Sequence, residues 1–283
     1  MEITFWGVRG SIATPGSDMG YFGGNTSCIA VRAGTNQLIL DAGTGLRPLG
    51  TSLMRGRQLK RSYHLLLSHF HLDHLSGLPF FQPLYQKGVS LHIYGPKGNH
   101  RSLRQIIATL FNEEYFPLPL KAVPAHLRLH SLREQNKRIS GFSVTSFYLN
   151  HPGSTLGYII ESNNKRLAYI TDHEPIRQYR HCTRESVARY EKRLQSYLSG
   201  VDLMIHDAQY LNRQYPHYRG WGHSPWSYAI QLAKSAGVSD VVLYHHDPAN
   251  DDQTLKHAWA RLKAQKNRGV KIHLARERQV IRL

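Results

Sequence analysis

Apolar residues in this chain fall into two rhythms. Short continuous runs occur at Cys28 to Val31, Leu38 to Leu40, Leu65 to Leu67, Leu91 to Ile93, Leu156 to Ile160, Leu167 to Ile170, Leu203 to Ile205 and Val241 to Leu243, and each predicts a strand. Other apolar residues recur at helical spacing: Leu103, Ile106, Ile107, Leu110 and Phe111, then Val187, Tyr190, Leu194 and Leu198, then Trp226, Ile230 and Ala233. Alternating strand and helix patterns predict an α/β architecture. No internal repeat or low-complexity linker divides it, so residues 1–283 are read as one domain. Two sheets packed face to face with helices outside suit this many strands, although a single doubly wound sheet has the same periodicity.

Composition narrows the class. With 41% hydrophobic residues, the chain has material for a sizeable core. No stretch approaches the ~18 unbroken apolar residues of a membrane helix, and Met1 to Phe5 runs directly into a strand-like pattern, so a soluble cytoplasmic protein without membrane partners is expected. Two cysteines, Cys28 and Cys182, are too few for a disulfide framework and lack the paired spacing of thiolate zinc sites. The formal charge of +17 favours encounters with anions such as nucleotides or RNA. Its basic residues are scattered, as in Arg55 to Arg61 and Arg189 to Arg193, which reads as solvated surface rather than a dedicated footprint.

The 18 histidines are the sharper anomaly. His69, His71, Asp73 and His74 place four metal-capable groups in six positions, more than one ion can easily use. Imidazole nitrogen with carboxylate oxygen suits zinc, manganese or iron. A dinuclear site needs a bridging carboxylate and about one more histidine per ion, and the chain offers His151, Asp172 and His245. Three apolar runs end at once in such groups: Leu65 to Leu67 before His69, Tyr169 to Thr171 before Asp172, and Val242 to Tyr244 before His245. Because ligands gather beyond the carboxyl ends of strands in open α/β sheets, these distant residues can meet at one edge.

The run Ser68-His69-x-His71-x-Asp73-His74 resembles the H-x-H-x-D-H signature of the metallo-β-lactamase superfamily, and Leu40-Asp41-Ala42-Gly43-Thr44-Gly45 resembles that family's early strand and aspartate turn. The resemblance implies an αββα sandwich holding two divalent ions, zinc or manganese. It implies that His69, His71 and His151 hold one ion, that Asp73, His74 and His245 hold the other, and that Asp172 bridges them with a water. Asp41 would accept a hydrogen bond from a ligand imidazole and fix its tautomer. His173, His206 and His246, together with Asp207 in a similar strand-end run, lie beside the named ligands in sequence; the three histidines are read as supporting or substrate-side groups.

Two divalent ions suit phosphodiester hydrolysis, and Asp73 could take the proton of the attacking water. Gly222-His223-Ser224-Pro225-Trp226 resembles the His-Ser-Thr element of RNase Z and related phosphodiesterases. Ser224 is expected to cap a helix and Pro225 to be its first residue, so that His223 sits before a helix start and is charged mainly when a phosphate is bound. Phe5 to Ser11, Gly23 to Cys28, Asn150 to Gly153 and His245 to Pro248 resemble a bacterial branch containing class II cyclic-nucleotide phosphodiesterases and cyclic-phosphate phosphodiesterases. That resemblance implies cyclic nucleotides or other small phosphodiesters as substrates, and a homodimer. Asn25 and His246 are candidate substrate contacts, and Tyr115-Phe116, beside Pro117 and Pro119, is a candidate lid stacking on a base. The rivals are a transfer-RNA 3′ endonuclease like RNase Z, a non-catalytic nucleotide- or RNA-binding module, and a lactonase. RNase Z carries a Gly/Pro-rich arm that neither residues 95–125 nor 208–222 supply.

Overall fold

In the computed structural model, which describes residues 1–55, 60–98, 100–176, 182–265 and 269–283, the apolar runs become strands covered on both faces. Along β3 (Asn36–Leu40), Leu38 and Leu40 point to one core and Ile39 to another. Along β10 (Lys165–Ile170), Leu167 and Tyr169 join the first of these cores while Ala168 and Ile170 join a third. A strand whose alternate side chains enter different cores has no polar face, which is why these segments read as unbroken apolar runs.

The described residues form two seven-stranded sheets. The first comprises β1 (Glu2–Gly7), β2 (Cys28–Ala33), β3, β4 (Ser62–Leu66), β5 (Ser90–Pro96), β6 (His126–Leu132) and β14 (Val280–Arg282), with β14 beside β1 and the rest in chain order. The second comprises β7 (Gln135–Ile139), β8 (Phe142–Tyr148), β9 (Leu156–Ser162), β10, β11 (Leu203–Asp207), β12 (Asp240–Tyr244) and β13 (Lys271–Leu274), also in chain order. Helices α1 (Leu46–Arg55) and α2 (Leu103–Thr109) cover the outer face of the first sheet; α3 (Arg184–Leu198), α4 (Trp226–Ala236) and α5 (Asp252–Ala264) cover that of the second. This is the αββα sandwich. Among the described residues no helix is long and apolar enough to cross a membrane. Residues 56–59 of the basic run from Arg55 to Arg61 lie outside the described residues.

The two sheets present the carboxyl ends of parallel strands β3, β4, β10, β11 and β12 to one edge of the sandwich. Asp41, Asp172 and His245, at or just beyond the ends of β3, β10 and β12, all turn into the left-handed region, at φ 59°, 53° and 65°. Such backbone is sparsely populated outside glycine and, where it recurs at one edge, marks a functional site.

Candidate metal centre

Among the described residues three groups of metal-capable donors form at that edge; Asp207, His223 and His245 make one, and the other two hold the ligands proposed from sequence. In the first of these two, His69, His71, His151 and Asp172 each offer an atom within 4.8 Å of the others; in the second, Asp73, His74, Asp172 and His245 do the same. Asp172 belongs to both. Its Oδ2 lies 3.5 Å from His69 Nε2 and 3.6 Å from His151 Nε2, while its Oδ1 lies 3.1 Å from His74 Nε2 and 3.3 Å from His245 Nε2. One carboxylate thus turns one oxygen to each group. Asp73 Oδ2 closes the second group at 3.2 Å from both His74 Nε2 and His245 Nε2. All seven residues proposed from sequence as ligands are therefore brought together.

The supporting hydrogen bonds decide which ring atom of each histidine is bare. His74 Nδ1 donates to Asp41 Oδ2 at 2.8 Å, His151 Nδ1 to the Gly222 carbonyl at 2.8 Å, and His245 Nδ1 to Gln209 Oε1 at 3.0 Å. His69 Nδ1 sits 3.0 Å from Ser68 Oγ, whose own proton goes to Asp41. With Nδ1 of His74, His151 and His245 engaged outward, their Nε2 atoms turn inward, whereas His71 turns its Nδ1 inward, 3.1 Å from His151 Nε2. His74 Nε2 and His245 Nε2 then face each other at 3.2 Å beside two carboxylate oxygens, and His69 Nε2 is buried with no hydrogen-bond partner. Nitrogen and carboxylate-oxygen donors converging this closely are brought together by a cation, whether a proton on His74 or a divalent-metal pair, which fits this donor set.

Electrostatics agree. Burial, with the positive potential of neighbouring histidines, holds His69 well below its ordinary value, and burial draws His151 down to about 4, so both are neutral donors. Burial would also depress His74, but Asp172, Asp73 and Asp41 outweigh it and push it well up. Burial opposes ionisation of Asp172, yet His245, His74 and His69 outweigh it and hold the carboxyl well below the usual range. Buried carboxylates set among imidazole nitrogens make a site that favours cations.

Asp41 stands behind this centre, fully buried. It accepts from the Ser68 backbone N–H at 2.7 Å, Ser68 Oγ at 2.9 Å, His74 Nδ1 at 2.8 Å and Tyr169 OH at 2.7 Å. Asp41→Ala should weaken metal binding by roughly 10- to 100-fold and, by orphaning several buried donors, should cost at least about 1–3 kcal/mol of stability. Metal titration and urea unfolding would check both; an unchanged metal affinity would remove Asp41 from the support of the centre.

His223 lies over both groups, its ring centroid 5.1 Å from those of His151 and His245. Its Nδ1 is 2.8 Å from Asp207 Oδ2. Asp207, at the end of β11, also accepts from the backbone N–H groups of His173 and Gln209, so its carboxylate is fixed. Burial would lower the pKa of His223, but Asp207 outweighs it, with Asp172 and Asp73 adding to the effect, and pushes it up to about 9. Asp207 thus gives His223 a counter-ion within the protein, beside any charge that a bound phosphate would add. The helix start is one residue later than expected. Pro225 is the cap of α4 and makes no side-chain cap, while Ser224 Oγ donates to the His173 carbonyl.

Several other expectations are redirected. His246 is not brought to the centre: its buried ring gives Nε2 to the Ala275 carbonyl at 2.8 Å and packs edge-on against Phe22. His206 and His173 belong to no donor group; their rings are buried against each other and Tyr228, and the His173 backbone N–H supports Asp207. The Asn25 amide donates to Glu277 rather than facing a ligand, at 3.1 Å. Phe116 packs edge-on to Phe111 and Phe80 on the α2 side, and Tyr115 points to solvent. Glycines of the early loop serve the protein rather than a ligand: a Cβ on Gly10 would lie 2.5 Å from His245 Nδ1. Residues the sequence did not single out complete the support. Gln209 orients His245, the Ser11 N–H donates to Asp73 Oδ2 at 2.8 Å, and Tyr169 holds Asp41. A backbone donor such as the Ser11 N–H leaves no trace in residue identity, whereas Asp207 stands out by its strand-end position.

A model of the beta-lactamase superfamily domain matches residues 36–246. This chain belongs to the beta-lactamase superfamily. As a superfamily member it is similar to the Ribonuclease Z of Thermococcus sibiricus, 24% identical across 88% of this chain and 87% of that one. It is also similar to the Ribonuclease Z of Bradyrhizobium sp., 25% identical across 86% and 89%. Among solved structures, the metallo-beta-lactamase fold protein YhfI from Bacillus subtilis superposes with a TM-score of 0.68 at 17% identity, covering 99% of this chain and 98% of that one. Human tRNase Z, short form, superposes at 0.67 and 20% identity, covering 100% and 99%. A diphosphatase from the PhnP family gives 0.68 at 15%, covering 100% and 97%. These superpositions place the chain's fold.

Proposed function

We propose that this superfamily member is a dinuclear metal-dependent phosphodiesterase acting on small phosphodiesters, cyclic nucleotides foremost. The observation that carries the reading is the pairing of two donor groups through Asp172 with the hydrogen-bonded His223–Asp207 pair beside both. Two bound divalent ions, zinc or manganese, supply Lewis acidity toward a phosphoryl oxygen and an activated water. His69, His71 and His151 would hold one, Asp73, His74 and His245 the other, and Asp172 both. His223, kept protonated by Asp207, stabilises charge on the phosphoryl group and gives its proton to the leaving oxygen. Asp73 suits a ligand role better than that of proton acceptor. Its Oδ2 already faces the Ser11 N–H, His74 and His245, and although burial opposes ionisation, these histidines hold the carboxyl far below the usual range.

A second reading is transfer-RNA 3′ cleavage. The curated relatives named Ribonuclease Z match over most of their length, and a net charge of +17 suits RNA. We expect metal-loaded protein to hydrolyse bis(p-nitrophenyl) phosphate and to lose that activity on chelation. Parallel assays of 2′,3′- and 3′,5′-cyclic nucleotides against precursor transfer RNA then rank the substrates. Efficient RNA processing without cyclic-phosphate turnover would reverse the order, and stoichiometric metal without any hydrolysis would support a binding module.

A further inference from the structure

Three of the large apolar side chains left exposed stand on segments that hold the metal centre: Ile12 at 64%, Leu72 at 70% and Trp221 at 64% exposure. Ile12 follows Ser11, whose N–H fixes Asp73; Leu72 lies between His71 and Asp73; Trp221 precedes Gly222, whose carbonyl receives His151 Nδ1. Apolar area gathered at one place, and not buried by folding, marks a contact surface. We propose that Ile12, Leu72 and Trp221 form an apolar collar at the metal centre, and that Trp221 is the platform on which the nucleobase of a phosphodiester substrate stacks. This rests on the phosphodiesterase reading above.

Trp221 has the rigidity a platform needs. The buried carboxylate of Glu174 accepts the N–H of Gly220 at 2.7 Å and of Gly222 at 2.9 Å, clamping the peptide on either side of it, and takes the Tyr215 hydroxyl at 3.1 Å. The indole rests edge-on against Tyr218, with centroids 5.5 Å apart, and Tyr218 is stacked on Tyr210 at 4.6 Å. Gly222, at φ 89°, brings this backbone so close to His151 that a Cβ there would lie 2.3 Å from Nδ1. The indole is thus anchored one residue from a ligand's hydrogen-bond partner and two from His223. A ligand fitting both features needs a phosphodiester joined to a flat apolar group, which describes a nucleotide. Phe116, the sequence-based candidate for stacking, is instead engaged with Phe111 and Phe80.

The test compares Trp221→Ala and Trp221→Phe on adenosine 2′,3′-cyclic phosphate and on base-free ribose 2′,3′-cyclic phosphate. Trp221→Ala should raise the ratio of the nucleoside to the base-free KM by about tenfold, with most of the change in KM rather than kcat, and Trp221→Phe should restore most of it. Independently of turnover, adenosine monophosphate titrated into zinc-loaded protein should quench indole emission, and Trp221→Phe should lose that quench. Equal KM changes on both substrates overturn the platform. So does a loss of self-association in Trp221→Ala with the KM ratio unmoved, which would assign the collar to a second copy. If the unaltered protein hydrolyses no diester, the phosphodiesterase reading fails, and the quenching titration still decides the platform: absence of binding ends it.

Discussion

Asp172→Asn should lose metal from both halves of the centre together. The substitution keeps the shape of the side chain, and asparagine tolerates the left-handed backbone at φ 53°, so the fold should persist. A neutral amide, however, has no second anionic oxygen to turn toward His74 and His245 while the first faces His69 and His151. Residues that merely support metal ligands are worth roughly 10- to 100-fold in affinity, so removal of a shared ligand should exceed about 100-fold, with diester turnover falling in step. Asp73→Asn should instead affect one half. Mass spectrometry under native conditions reads the number of ions retained; a variant at position 172 that still held two, at unaltered affinity, would refute the bridge.

His223→Ala should lower diester turnover by about 10²–10⁴-fold while metal content stays at the unaltered level. Asp207→Asn offers the finer test. In the metal-free protein His223 is lifted to about 9 from 6.5, so its contribution to stability is complete below 6.5 and is lost as pH rises through about 9. Asp207 is shifted the opposite way: burial opposes, but His223 outweighs it and lowers the carboxyl, so its contribution is present above its ordinary 3.8 and lost on further acidification. The pair therefore stabilises the fold across neutral pH. Asp207→Asn should remove that plateau in denaturant unfolding, and should move the alkaline limb of the kcat profile toward lower pH. An unshifted limb would detach Asp207 from the proton on His223.

How much of this was legible beforehand varies with the kind of signal. Strands buried on both faces carry unbroken apolar runs, and all eight predicted runs fall in or against strands of the sandwich. Edge strands do not: β7, Gln-Asn-Lys-Arg-Ile, is exposed along most of its length and has no apolar run. Helix α1 was missed because Pro48 and Gly50 interrupt its pattern, although Leu46 and Leu49 face the core. The choice between one doubly wound sheet and two packed sheets was also beyond periodicity, since a strand covered by a helix and a strand covered by another sheet look alike in sequence.

By itself the sequence determined which side chains could meet. His69 to His74 are neighbours by covalent connection, and ligand types placed straight after apolar strands are carried to one edge by any open parallel sheet. The tertiary structure decided where each atom points. His245 and His246 are adjacent, yet one enters the centre and the other turns to Ala275, because the left-handed backbone at His245 separates their directions. The tautomers of His74, His151 and His245, the oxygen that Asp172 gives to each half and the counter-ion of His223 depend on partners distant in sequence, such as Asp207 for His223, 16 positions away. Hydrogen bonds and lone-pair directions are properties of positions in space, and a one-dimensional pattern specifies them only after the chain has folded.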